Sequence, residues 1–545
     1  MLCTHSGAWP SGWRDFHESL LTPRRSSTVD NKKVFGDNTY YGALEMTSRN
    51  VSEIRERLPQ KVSCMPVFRV DIVGWFLGLL LVLGVIESGT AGATEPVEDF
   101  PKLTAPSDGT VQAQFRAGVA RKVITPTEPI WLSGYTNRTR PSEGVLHDLW
   151  AKALALEDTQ GERIVIVTVD LIGLPRDVSD EVAARVKEKH GLERRQLMLN
   201  ASHNHYGPVV GENLKVMFDV AVNPNDKQRM ERRIIDYRNR LVDDLSEVVG
   251  AALADLSPAT LAVGHGSVGF AINRRRRADR PVDHDVPVLK IASPDGRLRA
   301  VLFGYACHNT TLMDKCNSIN GDYVGFAQID LEKALPGTTA MFVQLCGGDQ
   351  NPDPRGKLEQ SAQYGKTLAT EVQRVLAGST IEPVHPTIRT AYEEVKLDLV
   401  HQDRAVFEQE AKSKDPFHKH RAEAVLAALD AGRPIWQVAV PVQVLGFGDK
   451  LAMIALGGEV VVDYSLRLKH EYPHADLIVA GYSNAVMCYI PSRRVLREGG
   501  YEPNESMVYY GQPGPFAESV EETLISTCHR LLAKIGTQAQ NAGSN

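Results

Sequence analysis

The segment Arg163 to Asp170, RIVIVTVD, holds five β-branched apolar residues, Ile164 to Val167 and Val169. A run this short and this apolar reads as a strand buried on both faces. A second run, QLMLNAS at 196–202, reads the same way. Between them SDEVAARVKEKHG has helical spacing, opens at Ser179 as a cap and stops at Gly191. Strand, helix, strand in that order predicts a crossover unit with two parallel strands. Such a unit limits the chain to folds that cover a sheet with helices.

Further along, two segments predict hairpins. Residues 286–306 turn at Pro294-Asp295-Gly296, and residues 441–459 turn at Gly446-Phe447-Gly448-Asp449. TTAMFVQLCGG (338–348) reads as another buried strand, and 356–378 as a helix. A long polar helical stretch is expected at about 402–431, and a last helix through 518–535. Hairpins mixed with crossovers give the expected fold class: α/β, mixed β-sheets with flanking helices, in a single large catalytic domain over 115–538.

The N-terminus predicts targeting. Residues 72–86, IVGWFLGLLLVLGVI, carry no charge, follow Arg69, and lead to Ala91-Gly92-Ala93, the form of a signal-peptidase site. The run is short for a spanning helix, which needs roughly 20 residues. Residues 65–93 are therefore expected to be a signal peptide rather than a membrane anchor, and the protein secreted or periplasmic. Residues 1–64 precede Met65 and read as untranslated or disordered. Residues 94–114 read as a linker and 539–545 as a tail.

Among 545 residues there are 61 basic and 67 acidic ones, for a net charge of −6. That balance argues against a nucleic-acid partner, which would need a basic face. Of seven cysteines, Cys3 and Cys64 precede the signal. The remaining five form no C-x-x-C pair, which argues against a cysteine zinc site or a disulfide framework. A single bridge from Cys307 to Cys316 is left open. There is no G-x-S-x-G elbow, Walker loop or H-E-x-x-H helix.

Four places could carry chemistry. LMLNASHNHYGP delivers His203 and His205 at a strand end. If the segment stays extended, residues two apart face one way and both imidazoles meet one spot. They could hold a metal, or be loop histidines with surface hydrogen bonds. LFGYACHNTTL delivers His308, with Asp322 downstream either orienting a ligand or capping a helix. MIALGGEVVVDY places Glu459 after two glycines, as a helix N-terminal charge or an oxygen ligand. AVMCYIPSRRVLREGGYEP holds Tyr489 and Tyr501, packing residues by default; a deprotonated tyrosine is an uncommon zinc ligand, and a neutral one can donate to an oxyanion. The basic run Asn273–Arg280 reads as a solvated loop or a set of salt bridges, from which one guanidinium could reach the site to hold a carboxylate or an oxyanion.

Taken in order, GVARKVITP, LSGY, DLWAKALALED, VIVTVD, ASHNHYGP, AINR, GYACHNTT, GDYVGFA, GGDQNP, GGE, GYSNAVMCYIPS and GGYEP resemble the neutral/alkaline, non-lysosomal ceramidase family. The resemblance covers nearly all of residues 115–538. It implies a zinc amidase that cleaves ceramide to a fatty acid and a sphingoid base. It implies His203, His308, Glu459 and Tyr489 as zinc ligands, with zinc lowering the pKa of bound water toward about 7. It implies His205 as the acid-base residue, and Arg274 and Tyr501 as oxyanion donors. It implies a lipid or small N-acyl substrate, with transient membrane-surface contact and no protein partner. In the family's G-D-x-S-P-N segment a serine stands where this chain has Asn351, so a serine acyl-enzyme at that position is excluded and Asn351 is expected to face substrate. Well-studied members continue into an immunoglobulin-like domain, whereas this sequence stops soon after its last helix.

Overall fold

RIVIVTV becomes a strand because both of its faces are covered. Ile164 and Ile166 point into one apolar cluster, and Val165, Val167 and Val169 into another. The period of two splits one hydrophobic run between two cores. Each fully buried side chain of this kind contributes about 1.5–3 kcal/mol over leaving it exposed. The computed structural model describes residues 115–275 and 280–537. The expected segment 1–64, signal peptide 65–93, linker 94–114 and tail 539–545 lie outside the described residues.

Numbered in chain order, the larger sheet has nine strands: β1 (Phe115–Val123), β2 (Trp150–Glu157), β3 (Arg163–Val169), β4 (Leu197–Ala201), β5 (Ser257–Ser267), β7 (Asp285–Ala292), β8 (Leu298–Tyr305), β9 (Thr339–Gln344) and β11 (Glu382–Pro383). Its order is β4-β3-β2-β1-β5-β7-β8-β9, with β11 on β5. The outer pairs β3–β4 and β8–β9 are parallel, and the strands between are antiparallel. A short pair, β6 (Ala271–Asn273) and β10 (Gln350–Pro352), stands apart. The smaller sheet is β12 (Ile388–Asp398), β13 (Gln437–Phe447), β14 (Leu451–Leu456) and β16 (Asp476–Ala480), and the last pair is β15 (Glu459–Val460) with β17 (Tyr489–Ile490).

Helices α1 (Arg176–His190) and α3 (Pro224–Ala254) share an apolar cluster with one half of the larger sheet. Helices α4 (Asp322–Ala334) and α5 (Leu358–Ala377) do so with the other half. The opposite face meets the smaller sheet through Ile166, Leu261, Met341, Leu445, Met453 and Ile478. Helices α8 (Asp463–Glu471) and α10 (Val520–Lys534) close the far side. The layers run helix, sheet, sheet, helix, and all described residues fall in one compact unit.

The predicted crossover, both hairpins and the last helix are present. Three expectations change. Helix α1 starts at Arg176, so Ser179 lies buried inside it instead of capping it. The stretch 402–431 is two helices, α6 (Arg404–Glu410) and α7 (Pro416–Asp430). Asp415 caps the second through the Phe417 amide, and Pro416 could not continue the first without losing a hydrogen bond. Cys307 and Cys316 are both free thiols, as are the other three cysteines described. Of the two readings of the basic run, Arg274 and Arg275 follow the salt-bridge one, both pairing with Glu502; residues 276–279 lie outside the described set. No helix among the described residues is long and apolar enough to cross a membrane.

Candidate metal centre and active site

The carboxyl ends of the parallel strands converge on one point. His203 follows β4, His308 follows β8, Glu459 opens β15 and Tyr489 opens β17. Three isolated bridges tie these ends together: Asn204 to Asn309, Leu345 to Ala480, and Asn200 to Ser483. Asn200 donates to the Gly481 carbonyl at 2.9 Å and the Ser483 hydroxyl at 3.0 Å, joining the two sheets beneath the site. Ligand sites in α/β sheets favour such strand ends.

Glu459 and Tyr489 are register partners in the parallel pair. A close approach makes this possible. Gly458 has φ +84°, and a Cβ there would meet Ile490 Cγ1 at 2.6 Å. The sequence GGE is thus a tight backbone turn that turns Glu459 into the site.

The histidines reach the same point by a different route from the one expected. His203 has φ +56°, so the segment is not extended and period-two alternation does not apply. A turn brings the rings together instead, with centroids 4.7 Å apart and nearly perpendicular. A non-glycine residue in the left-handed region costs on the order of 1–2 kcal/mol and is held there only by its surroundings.

Each imidazole is fixed through Nδ1. That of His203 donates to the Ile172 carbonyl at 2.9 Å, that of His308 to the Gly347 carbonyl at 2.8 Å, and that of His205 to the Gly134 carbonyl at 3.2 Å. Nε2 of each is left as a lone-pair nitrogen aimed inward. His203 Nε2 lies 3.1 Å from Glu459 Oε2 and 3.1 Å from His205 Nε2, and His308 Nε2 lies 3.4 Å from the same carboxylate oxygen. Tyr489 Oη is 3.1 Å from His308 Nε2. Burial, then the charge of Arg274, lowers the His308 pKa to about 3. Burial, with His203 and His308 alongside, holds His205 well below its usual value. Burial opposes the charge of Glu459, and it is positive charge on its His203 and His308 side that holds it well below the carboxylate range.

Glu459 Oε2 is buried with no hydrogen-bond partner. Acceptor atoms crowded together with no proton between them repel one another unless a cation sits among them. The donor set therefore fits a metal ion. Among the described residues, His203, His205 and His308 form a group that could hold a metal ion, with candidate ligand atoms all within 4.8 Å of one another.

Arg274 closes the other side. It donates to Glu502 at 2.8 Å through Nε and to Tyr489 Oη at 3.1 Å through Nη2, and its Nη1 lies 3.5 Å from Asn351 Oδ1. Tyr489 and Glu502 hold this guanidinium charged against its burial. Its carbon lies 5.3 Å from the Tyr501 ring centre. Register places Asn351 opposite Ile272 in the β6–β10 pair, next to Arg274. A cavity of about 1060 Å³ opens over these groups, lined by His205, Arg274, His308, Asn351, Tyr489 and Tyr501 among others. All eight residues singled out in the sequence thus meet. Asp322 is not among them: its carboxylate accepts from the Leu312 and Tyr323 amides, the local structural role.

Residues 115–369 match the sequence model described as neutral/alkaline non-lysosomal ceramidase, N-terminal. Over these residues the chain is similar to that ceramidase family. The neutral ceramidase of Pseudomonas aeruginosa is 25% identical over 258 residues, covering 44% of this chain and 37% of that protein. That of Mycobacterium tuberculosis is 22% identical over 461 residues, covering 69% and 71%, and that of Drosophila melanogaster 24% over 268 residues, covering 46% and 37%. The chain thus matches just over a third of the length of the Pseudomonas and Drosophila relatives. The crystal structure of the Pseudomonas ceramidase superposes with a TM-score of 0.60 at 17% identity, covering 79% of this chain and 76% of that one. A ceramidase complexed with C2 superposes equally well. These likenesses establish the ceramidase fold. The family match ends at residue 369, so Glu459, Tyr489 and Tyr501 lie beyond it.

Three residues of the site escaped the sequence. Glu502 is buried and bridges Arg274 and Arg275; its only signal was its place after Tyr501 in GGYEP. Tyr510 donates its hydroxyl to Glu459 Oε1. Tyr482 stacks 4.4 Å from His203, and its buried hydroxyl has no partner. Nothing in the sequence around either tyrosine separates it from a packing residue.

Proposed function

We propose that this chain is a zinc-dependent hydrolase that cleaves the amide bond of a ceramide-type N-acyl lipid, releasing a fatty acid and a sphingoid base. One observation carries the reading: the unpartnered Glu459 Oε2 faces the lone-pair nitrogens of His203 and His308, and His308 lines an open cavity. His203, His308, Glu459 and Tyr489 would hold the zinc. Bound there, zinc supplies Lewis-acid polarisation and a water whose pKa falls toward about 7.

The chain's own groups do the rest. His205 carries its proton on Nδ1, toward Gly134, so Nε2 is free to take the proton of the attacking water and return it to the leaving nitrogen. Arg274 and the Tyr501 hydroxyl offer donors to the oxyanion, and Glu502 holds Arg274 in place. Asn351 lines the cavity beside Arg274, where it would contact the substrate. Export through residues 65–93 and a domain spanning 115–538 belong to the same proposal.

A second reading, a more polar N-acyl or ester substrate, has one observation in its favour: among the described residues lining the cavity, only Met217 and Met313 carry aliphatic side chains. The test is metal analysis, followed by incubation of the zinc-loaded protein with N-acylsphingosine, an N-acyl amino acid and a p-nitrophenyl ester. About one zinc per chain and cleavage of the first support the proposal. A folded protein that takes up no metal, or cleaves none of the three, overturns it; cleavage of only the other two moves it to the second reading.

A further inference from the structure

A ceramide-type substrate carries long alkyl chains, and the main cavity has little to cover them. Among the described residues its walls are polar, charged, tyrosine or glycine apart from the two methionines. A second cavity of about 500 Å³ contains Val145, Leu146, Leu312 and Leu358. Val145 is 50%, Leu146 44% and Leu358 42% exposed, an unusual cluster of aliphatic side chains turned to solvent.

The two cavities share a wall. Along the turn at 310–316, Thr310, Met313 and Asp314 face the main cavity, while Leu312, Lys315 and Cys316 face the second. Beside that turn, Arg355 lines the main cavity and Gly356 the second. The two segments are bonded together: the Gly356 amide donates to the Thr311 carbonyl at 2.6 Å, and Arg355 reaches the Thr310 hydroxyl at 3.5 Å. Gly356 has φ +114°, and its open side looks toward Met313 Sδ at 3.6 Å. A chain leaving the catalytic floor past Met313 crosses a single ridge and meets the leucines.

We propose that this groove is the subsite for an alkyl chain of the substrate, while the polar cavity holds the amide and head group. The proposal rests on the hydrolase reading above. Its driving force is apolar burial: a methylene fully covered raises affinity about fourfold, and one half covered in an open groove about twofold.

The experiment uses the zinc-loaded full chain and two substrate series. In one the acyl chain runs from C2 to C8 on a fixed amine; in the other the amine's alkyl chain is varied on a fixed acetyl group. The wild type is expected to gain about twofold in kcat/KM per added methylene along one series, which identifies the chain that occupies the groove. Val145→Asp and Leu358→Asp, shown to be folded by their melting curves, should flatten that gain. Ile235→Asp, at an exposed aliphatic residue on α3, should not. An unchanged gain in both groove variants, or no gain in the wild type, overturns the proposal. So does a groove variant that keeps the gain but loses pelleting with phosphatidylcholine vesicles, or loses a dimer seen by light scattering; the groove is then a membrane or self-association surface. Failure to cleave any substrate, including the C2 compound, instead overturns the hydrolase reading.

Discussion

The Tyr510 hydroxyl donates to Oε1 of Glu459, while Oε2 of the same carboxylate has no hydrogen-bond partner and faces His203 Nε2 at 3.1 Å. One oxygen is anchored so that the other can be aimed. Tyr510 comes from the turn that follows Tyr501, far from Glu459 in the chain, and burial keeps its hydroxyl protonated and so a donor. Tyr510→Phe is expected to weaken zinc binding about 10- to 100-fold in a chelator competition, as loss of such a partner typically does. The metal-free melting temperature should stay close to that of the wild type. Unchanged zinc affinity would show that the contact does not position the carboxylate.

His203 and His205 differ in what surrounds them, despite their spacing. His203 Nε2 lies against Glu459, whereas His205 sits on the cavity wall with its ring 6.0 Å from that of His308. His203→Ala is expected to lose stoichiometric zinc. His205→Ala should retain it and lose turnover by about 100-fold or more, the usual range for an acid-base residue. Metal analysis of both purified variants checks this, and equal loss of zinc would make His205 a third histidine ligand.

Gly134 is the platform beneath His205. Its φ is +92°, its carbonyl accepts from His205 Nδ1, and a Cβ would lie 2.3 Å from that nitrogen. Gly134→Ala must therefore move the imidazole, beyond the roughly 1–2 kcal/mol cost of the left-handed backbone. Turnover should fall by at least about tenfold with zinc content preserved, since small misplacements at a reacting centre are expensive. Wild-type activity in this variant would mean that the imidazole's position is not decisive.

Away from the site, His265 on β5 ties the two sheets together. Nδ1 pairs with Asp285 on β7 at 2.8 Å, and Nε2 with Asp476 on β16 at 2.8 Å. Burial lowers its pKa, but hydrogen bonds and charge from Asp285 and Asp476 outweigh that and raise it to about 10. A folded-state value above the unfolded one near 6.5 adds stability that is complete below about pH 6.5 and lost as pH rises through about 10. After allowance for solvent screening, since the side chain is 36% exposed, the contribution is about 1–2 kcal/mol. Urea unfolding of wild type and His265→Gln should therefore diverge at pH 6 and converge toward pH 10. A difference that does not vary with pH would rule the ion pair out as its source.

What could be read in the sequence follows from short-range physics. The double-sided apolar run at 163–169, the two hairpins and the stop of α1 at Gly191 depend on neighbours within a few residues, so the mixed α/β class was legible there. So were the eight site residues, through the family resemblance of short motifs such as ASHNHYGP and GGYEP. The boundaries that shifted did so for local reasons that spacing does not reveal, as at Pro416 and at the start of α1.

The tertiary structure alone decided the rest. That the two hairpins lie in different stacked sheets follows from which apolar face meets which, a property of the assembled cores. That His203 and His205 converge through a left-handed turn depends on carbonyls from Ile172 and Gly134. That Glu459 lies beside Tyr489 and under Tyr510 depends on strand pairing across 30 residues and a side-chain hydrogen bond across 51. Such contacts join parts of the chain with no mutual signature. Their partners are selected by closure of the whole fold, because a buried charge is tolerated only where the fold brings its counterpart to it.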